Sequence, residues 1–177
     1  MSGAKQNILQ YKGLLIFLAK ALILYFIWQI LWYSYLNNPN NTVNISLNES
    51  LKSSTLMALQ SLGFDTFNNN AENHLGITDS PGFIIGVPCN GLDLFYLYIA
   101  FFIAVPGKWK SKLFFSIIGI FIIYTFNVLR LVLLALISKY HYDWFNFHHS
   151  YTFTLLMYAI IFLLWYFYLK KYAFKKT

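Results

Sequence analysis

Three side chains suited to acyl transfer stand far apart in this chain: Cys89, its sole cysteine, Arg130 inside an apolar run, and His149 at the start of the last apolar run. A thiol becomes a nucleophile when a base removes its proton, and an imidazole titrates in the range where it can take that proton and return it to a leaving amine. A fixed guanidinium can hold the oxyanion that forms on an attacked carbonyl. The set is complete for opening an amide through a thioester, provided folding brings the three to one depth.

Each residue also has a plainer use. A lone cysteine in an apolar chain commonly serves as a small filler. Here it lies in Pro88-Cys89-Asn90-Gly91, which is turn chemistry, so the thiol is expected at the N-terminus of a helix. The positive end of the helix dipole would favour the thiolate there and lower the thiol pKa. Arginine at the centre of a bilayer costs roughly 2.5–3.5 kcal/mol on insertion scales, so it seldom stands there without a partner or a purpose. Asn127 is one turn earlier on the same helical face, able to hold the guanidinium or line the same cavity. Asp93 could form a structural ion pair with Arg130 or orient it within a site. His148 competes with His149 for the acid/base role, and the run His149-Ser150-Tyr151-Thr152-Phe153 favours His149.

The elements that must carry these residues are apolar helices. With 58% hydrophobic, 21% aromatic and 11% charged residues and a mean hydropathy of +0.53, the chain reads as an all-α integral membrane protein. A helix needs about 20 apolar residues to cross roughly 30 Å of hydrocarbon. Segments 13–36, 113–138 and 149–169 meet that length, and 89–106 is a shorter fourth span bounded by Pro88 and by Pro106-Gly107. On this layout Arg130 lies about 12 Å below the far end of the third span. The first segment is too long for a signal-peptide core and lacks a small-residue cleavage pattern, so it reads as an anchor.

Lysines set the orientation, because short positively charged loops stay cytoplasmic. Lys5 and Lys12 precede the first span, Lys108, Lys110 and Lys112 separate the second from the third, and Lys170, Lys171, Lys175 and Lys176 follow the fourth. Both termini are therefore expected inside. The opposite side holds only Lys52 and Lys139, together with Glu49, Asp65, Glu72, Asp79 and Asp143. The formal charge of +7 is thus a cytoplasmic-rim property. It forms no stripe of the kind that binds nucleic acid.

The exterior loop 37–88 is the one sizeable water-facing part. Ser46-Leu47-Asn48-Glu49 matches a capping box, and Leu47, Leu51, Ala58, Leu59 and Leu62 share one side of a helix that Gly63 would end. The pattern predicts an amphipathic helix over 47–62, packed over the bundle or serving as a lid. Asn40, Asn44 and Asn48 each open an N-x-Ser/Thr sequon, as an asparagine-rich loop does by chance. With a single cysteine there is no disulfide within the chain.

Pro88-Cys89-Asn90-Gly91, then Asn127-Val128-Leu129-Arg130 within a hydrophobic helix, then His149-Ser150-Tyr151-Thr152-Phe153 leading into an aromatic last helix resemble the exosortase/archaeosortase family of membrane cysteine transpeptidases. The likeness runs over about 87–169 and looks closest to the short, Bacteroidetes-type form. It implies Cys89 as nucleophile, Arg130 as oxyanion or substrate-carboxyl stabiliser and His149 as acid/base; by position in the sequence, Asn127, Asp93, His148 and Asn90 are candidate supporting residues, and no cofactor is expected. It implies clients that are secreted proteins with a C-terminal motif, a transmembrane helix and a basic tail. These would be cut at the periplasmic face of the bacterial inner membrane and passed to a glycan or lipid acceptor. Larger members have about twice as many spans and often Cys-Ser-Gly where this chain has Cys89-Asn90-Gly91.

Three other readings stand beside it. A non-enzymatic assembly protein would use Arg130 and Asp93 as a structural pair. A metal site would draw on Cys89, His141, Asp143, His148 and His149, although no compact ligand motif is present. A transporter subunit would place polar residues through the whole depth of the bilayer, whereas here they cluster at one face.

Overall fold

The computed structural model describes residues 11–69 and 73–173. Expectations placed on Lys5, Glu72, Lys175 and Lys176 lie outside these residues.

Three helical stretches are long and apolar enough to cross a membrane: Lys12–Leu36, Trp109–Tyr140 and Tyr142–Tyr172. The first comprises α1 (Lys12–Leu31) and a π-helical turn, Trp32–Leu36. α2 (Thr42–Ser61) follows, then strands β1 (Thr66–Asn69), β2 (His74–Ile77) and β3 (Phe83–Ile84), then α3 (Leu92–Ala104). α4 (Trp109–Tyr140) runs 32 residues. A broken helical stretch then leads into α5 (Phe153–Tyr168) and a π-helical turn, Leu169–Ala173.

The fourth expected span, 89–106, is shorter than its sequence segment. Cys89 lies in a 3-10 turn, Val87–Cys89, and α3 has only 13 residues. At 1.5 Å per residue it reaches about 20 Å, against roughly 30 Å of hydrocarbon. Pro88 and the left-handed Gly91, at φ +80°, delay the helix start to Leu92.

α2 also departs from the expected 47–62. It begins at Thr42, where the Asn41 side chain accepts from the Asn44 N–H, so Ser46 is not the cap. Glu49 accepts from Lys52 Nζ at 2.6 Å instead of reaching back to Ser46. At the other end Gly63, at φ +86°, donates to Gln60 O and Phe64 donates to Leu59 O, which is a Schellman closure. Leu51 and Leu59 are fully buried, whereas Leu62 is 61% exposed because it falls at the helix cap beyond the packed face.

No strand was expected in the loop, yet β1, β2 and β3 form an antiparallel sheet in that order. Thr66 pairs with Ile77, Asn69 with His74, and Leu75 with Phe83. The strands are too short, at four, four and two residues, to carry a legible period-two pattern. Leu75, Ile77, Phe83 and Ile85 are buried, in one cluster with Leu51 and Leu59 of α2, Leu131, Val132, Leu134 and Ala135 of α4, and Phe153. The sheet is tied down where the Ser138 hydroxyl donates to Gly82 O at 3.2 Å. α2 is tied where the Tyr124 hydroxyl meets those of Ser50 and Ser54 at 2.7 and 2.9 Å.

A second cluster fills the other end of the molecule. Leu94, Tyr98, Phe102, Val105, Ile123, Met157, Ile161 and Tyr168 are buried together there. Tyr98 donates to Phe115 O, and its ring lies over Gly119 so closely that a Cβ there would fall 2.0 Å from the hydroxyl. Lys112 donates to Val105 O at this end, where α3 stops and α4 begins. α1 has no buried residue; it leans on α3 through a Trp28–Tyr96 stack at 4.2 Å and a Phe17–Phe101 edge contact.

Candidate active site

The site assembles at the seam between the two clusters. Three features of the chain bring Cys89 there: Pro88 sets a tight turn, Gly91 takes a left-handed conformation, and the Cys89 N–H donates to Gly86 O at 2.9 Å. Gly91 is closely wrapped, because a Cβ there would stand 2.8 Å from Asn127 Nδ2. His149 comes from a π-helical segment, His148–Thr152, that interrupts the last membrane stretch. Such local widening re-aims a side chain that regular helical spacing would send elsewhere, and it is common at functional sites.

Cys89 Sγ and His149 Nε2 are 2.9 Å apart, across 60 residues of sequence. The His149 ring stacks on Phe145 at 5.8 Å with 9° between planes, and Phe145 in turn contacts Phe83 of β3 at 6.0 Å. The sheet therefore props the imidazole. His148 points into other rings, those of Trp144, Phe147 and Phe153, and not toward the sulfur.

Arg130 is buried in α4, and its Nε has no hydrogen-bond partner among the described residues. It lies close enough to Cys89 for its charge and a side-chain hydrogen bond to pull the thiol pKa down. Burial outweighs both and pushes the Cys89 thiol above its ordinary value. This reverses the direction expected from the helix terminus alone: desolvation is the larger effect, so at neutral pH the resting group is a thiol facing an imidazole.

Two supporting roles need correction. Asn127 does not hold the guanidinium; its Nδ2 donates to Asn90 O at 3.0 Å. Asp93 forms no ion pair with Arg130, and among the described residues the one ion pair joins Lys52 and Glu49. Asp93 is exposed and shares with Arg130 the wall of a small cavity of about 90 Å³, lined also by Pro88, Gly91, Thr154 and Tyr158. Asp93 and Tyr158 also border a larger apolar crevice of about 430 Å³ between α1, α3 and α5. Among the described residues no three of His, Cys, Asp and Glu stand together in a way that could hold a metal ion. His141 and Asp143 do not join the thiol.

Sequence reasoning missed Asn44. Its Oδ1 accepts from Asn90 Nδ2 at 2.8 Å, linking α2 to the cysteine turn. The asparagine repeat at 40, 44 and 48 held the signal, but it read as loop composition.

The sequence pattern of the transmembrane exosortase family matches residues 8–166. The chain belongs to that family. No curated protein and no solved structure matches it. The family match spans α1, α2, the sheet, α3 and α4 and reaches into α5, so the whole exosortase unit in this chain includes the sheet-bearing cap as well as the helices. It makes the chain an integral membrane protein, in keeping with its three long apolar helices.

Proposed function

We propose that this chain is a short-form membrane cysteine transpeptidase that removes the C-terminal sorting signal of secreted proteins at the outer face of a bacterial cytoplasmic membrane. The contact between Cys89 Sγ and His149 Nε2 at 2.9 Å carries this reading. His149 takes the thiol proton as Sγ adds to the scissile carbonyl. Arg130, whose guanidinium lies beside the thiol, faces the tetrahedral oxyanion. The imidazolium then gives its proton to the leaving amine, the C–N bond breaks, and a thioester to Cys89 remains. A hydroxyl or amine of a glycan or lipid acceptor attacks the thioester, its proton passes to His149, and the thiol is regenerated.

The distribution of charge supports the orientation. Lys12, Lys108, Lys110, Lys112, Lys170 and Lys171 all belong to helix ends opposite the cysteine turn, as expected of a cytoplasmic rim. A client anchored by its own transmembrane helix would present its scissile bond at fixed depth, so the membrane itself supplies proximity.

Co-expression with a reporter that ends in a candidate motif, an apolar helix and a basic tail tests the reading. Mass spectrometry of the reporter is expected to show a shortened C-terminus carrying the acceptor group. The Cys89→Ala, Arg130→Ala and His149→Ala chains should insert in the membrane and leave the reporter whole, while His148→Ala retains processing. Continued cleavage by Cys89→Ala would refute the assignment.

A further inference from the structure

We infer that Asn44, on α2, is a positioning residue for the nucleophile, acting through a buried ladder of side-chain amides that holds Cys89 against His149. The inference rests on the reading of Cys89 and His149 as a reactive pair. Asn44, Asn90 and Asn127 are each fully buried. Asn44 Nδ2 donates to Leu36 O at 2.7 Å and to Asn38 O at 2.9 Å, both at the exit of the first membrane stretch. Its Oδ1 accepts from Asn90 Nδ2 at 2.8 Å, Asn90 Oδ1 accepts from the Leu92 N–H at 3.0 Å, and Asn90 O accepts from Asn127 Nδ2 at 3.0 Å.

The ladder can run in one direction only. Carbonyls at Leu36 and Asn38 only accept, so the Asn44 amino group must face them and its oxygen must face Asn90. The Leu92 N–H only donates, so the Asn90 oxygen must face it and the Asn90 amino group must return to Asn44. Neither amide can flip without leaving a buried donor unpaired, which costs about 1–3 kcal/mol. Asn90 is therefore fixed from three sides: α2, the first turn of α3, and α4. Cys89 is the next residue, and its own N–H is held by Gly86 O. The sulfur has little freedom to leave the imidazole.

None of these amides touches the sulfur, so their action shows as coupling between Cys89 and His149. Cys89 is the sole cysteine, and its alkylation by iodoacetamide in the full-length, membrane-inserted chain can be followed with no client present. In the native chain, His149→Gln changes the alkylation rate at pH 7.5. In an Asn44→Leu background the same change should have almost no effect, so that the cycle shows about tenfold coupling, within the range for groups in contact. Asn48→Leu is the control, because Asn48 is equally buried one turn along α2 but bonds Ile85 O and not the cysteine turn. It should keep the full His149 effect.

A full His149 effect in Asn44→Leu, or its equal loss in Asn48→Leu, overturns the inference. Where Asn44→Leu does not purify as a single species, Asn90→Ala carries the same test from the other side of the bond. Failure of both to fold assigns the ladder to stability alone and also overturns it. A His149→Gln change that is silent in the native chain removes the reactive pair itself, and that failure is distinct from a broken ladder.

Discussion

The two ends of the molecule are held by different physics. At the sheet end the core is largely aliphatic, with Leu51, Leu59, Leu75, Ile77 and Leu131 closed over by a small sheet, and toward the site buried asparagines stitch helix to turn. At the lysine-rich end aromatic rings join the aliphatic core: Tyr98, Phe102, Phe115 and Tyr168 meet edge to face, and rings approach the backbone closely at Gly107 and Gly119. The first pattern draws on exclusion of water and on directional bonds. The second suits a layer in which lipid tails are as apolar as the protein, so that packing shape decides association. Directional bonds are concentrated where atoms must be placed to within tenths of an ångström.

Separate perturbation of each end sharpens the contrast. Leu59→Ala removes a fully buried side chain from under α2, and about 2–5 kcal/mol of stability should go with it. Limited proteolysis is expected to open the cap first, with the aromatic end still folded; loss of both together would show one cooperative unit. Gly119→Ala drives a methyl into the buried Tyr98 ring, at about 1–3 kcal/mol for overpacking. Thermal unfolding followed through Trp165, which stacks on Phe101 at 4.4 Å, should weaken, while Cys89 alkylation keeps its native rate.

Smaller effects fall on the turn itself. Gly91→Ala combines a left-handed backbone with a clash against Asn127, and the conformation alone costs roughly 1–2 kcal/mol. The expected result is an inserted chain with slowed client processing; unchanged turnover would show that the turn tolerates displacement. Smallest is the effect of pH. A thiol raised by burial stays protonated to higher pH when folded than when unfolded, so this group's contribution to stability is complete below the unfolded thiol range and is lost as pH rises through the folded pKa. The alkylation midpoint should lie above that of a free cysteine, and Arg130→Gln should raise it further by removing the charge that opposes burial.

Much of this was legible before folding. The long apolar runs, the lysine rims and the rank of Cys89, Arg130 and His149 as reactive types follow from transfer energies and side-chain chemistry, which act locally. Other features depend on partners distant in sequence. β3, of two residues, exists because Leu75 pairs with Phe83. The capping box at Ser46 gave way to Asn41 because tertiary bonds from Asn41 and Asn44 to the end of the first stretch extended the helix backward. The thiol pKa ran against the helix-end expectation because local dipole reasoning does not see how deeply a turn is buried. The partner of Asn127 was misread for the same reason: two residues one turn apart on a helix share a face, but a backbone carbonyl from another element came between their roles.

The shortness of α3 has one more consequence. Its neighbours are long and apolar enough to cross a membrane, so hydrophobic mismatch would fall on the α3 flank, where Leu97 and Ile103 face outward. Lipid beside that flank must thin or tilt, at a fraction of a kcal/mol per ångström. A bilayer that met this flank would have to thin toward the turn that bears the sulfur, so client processing is expected to quicken in vesicles of shorter acyl chains.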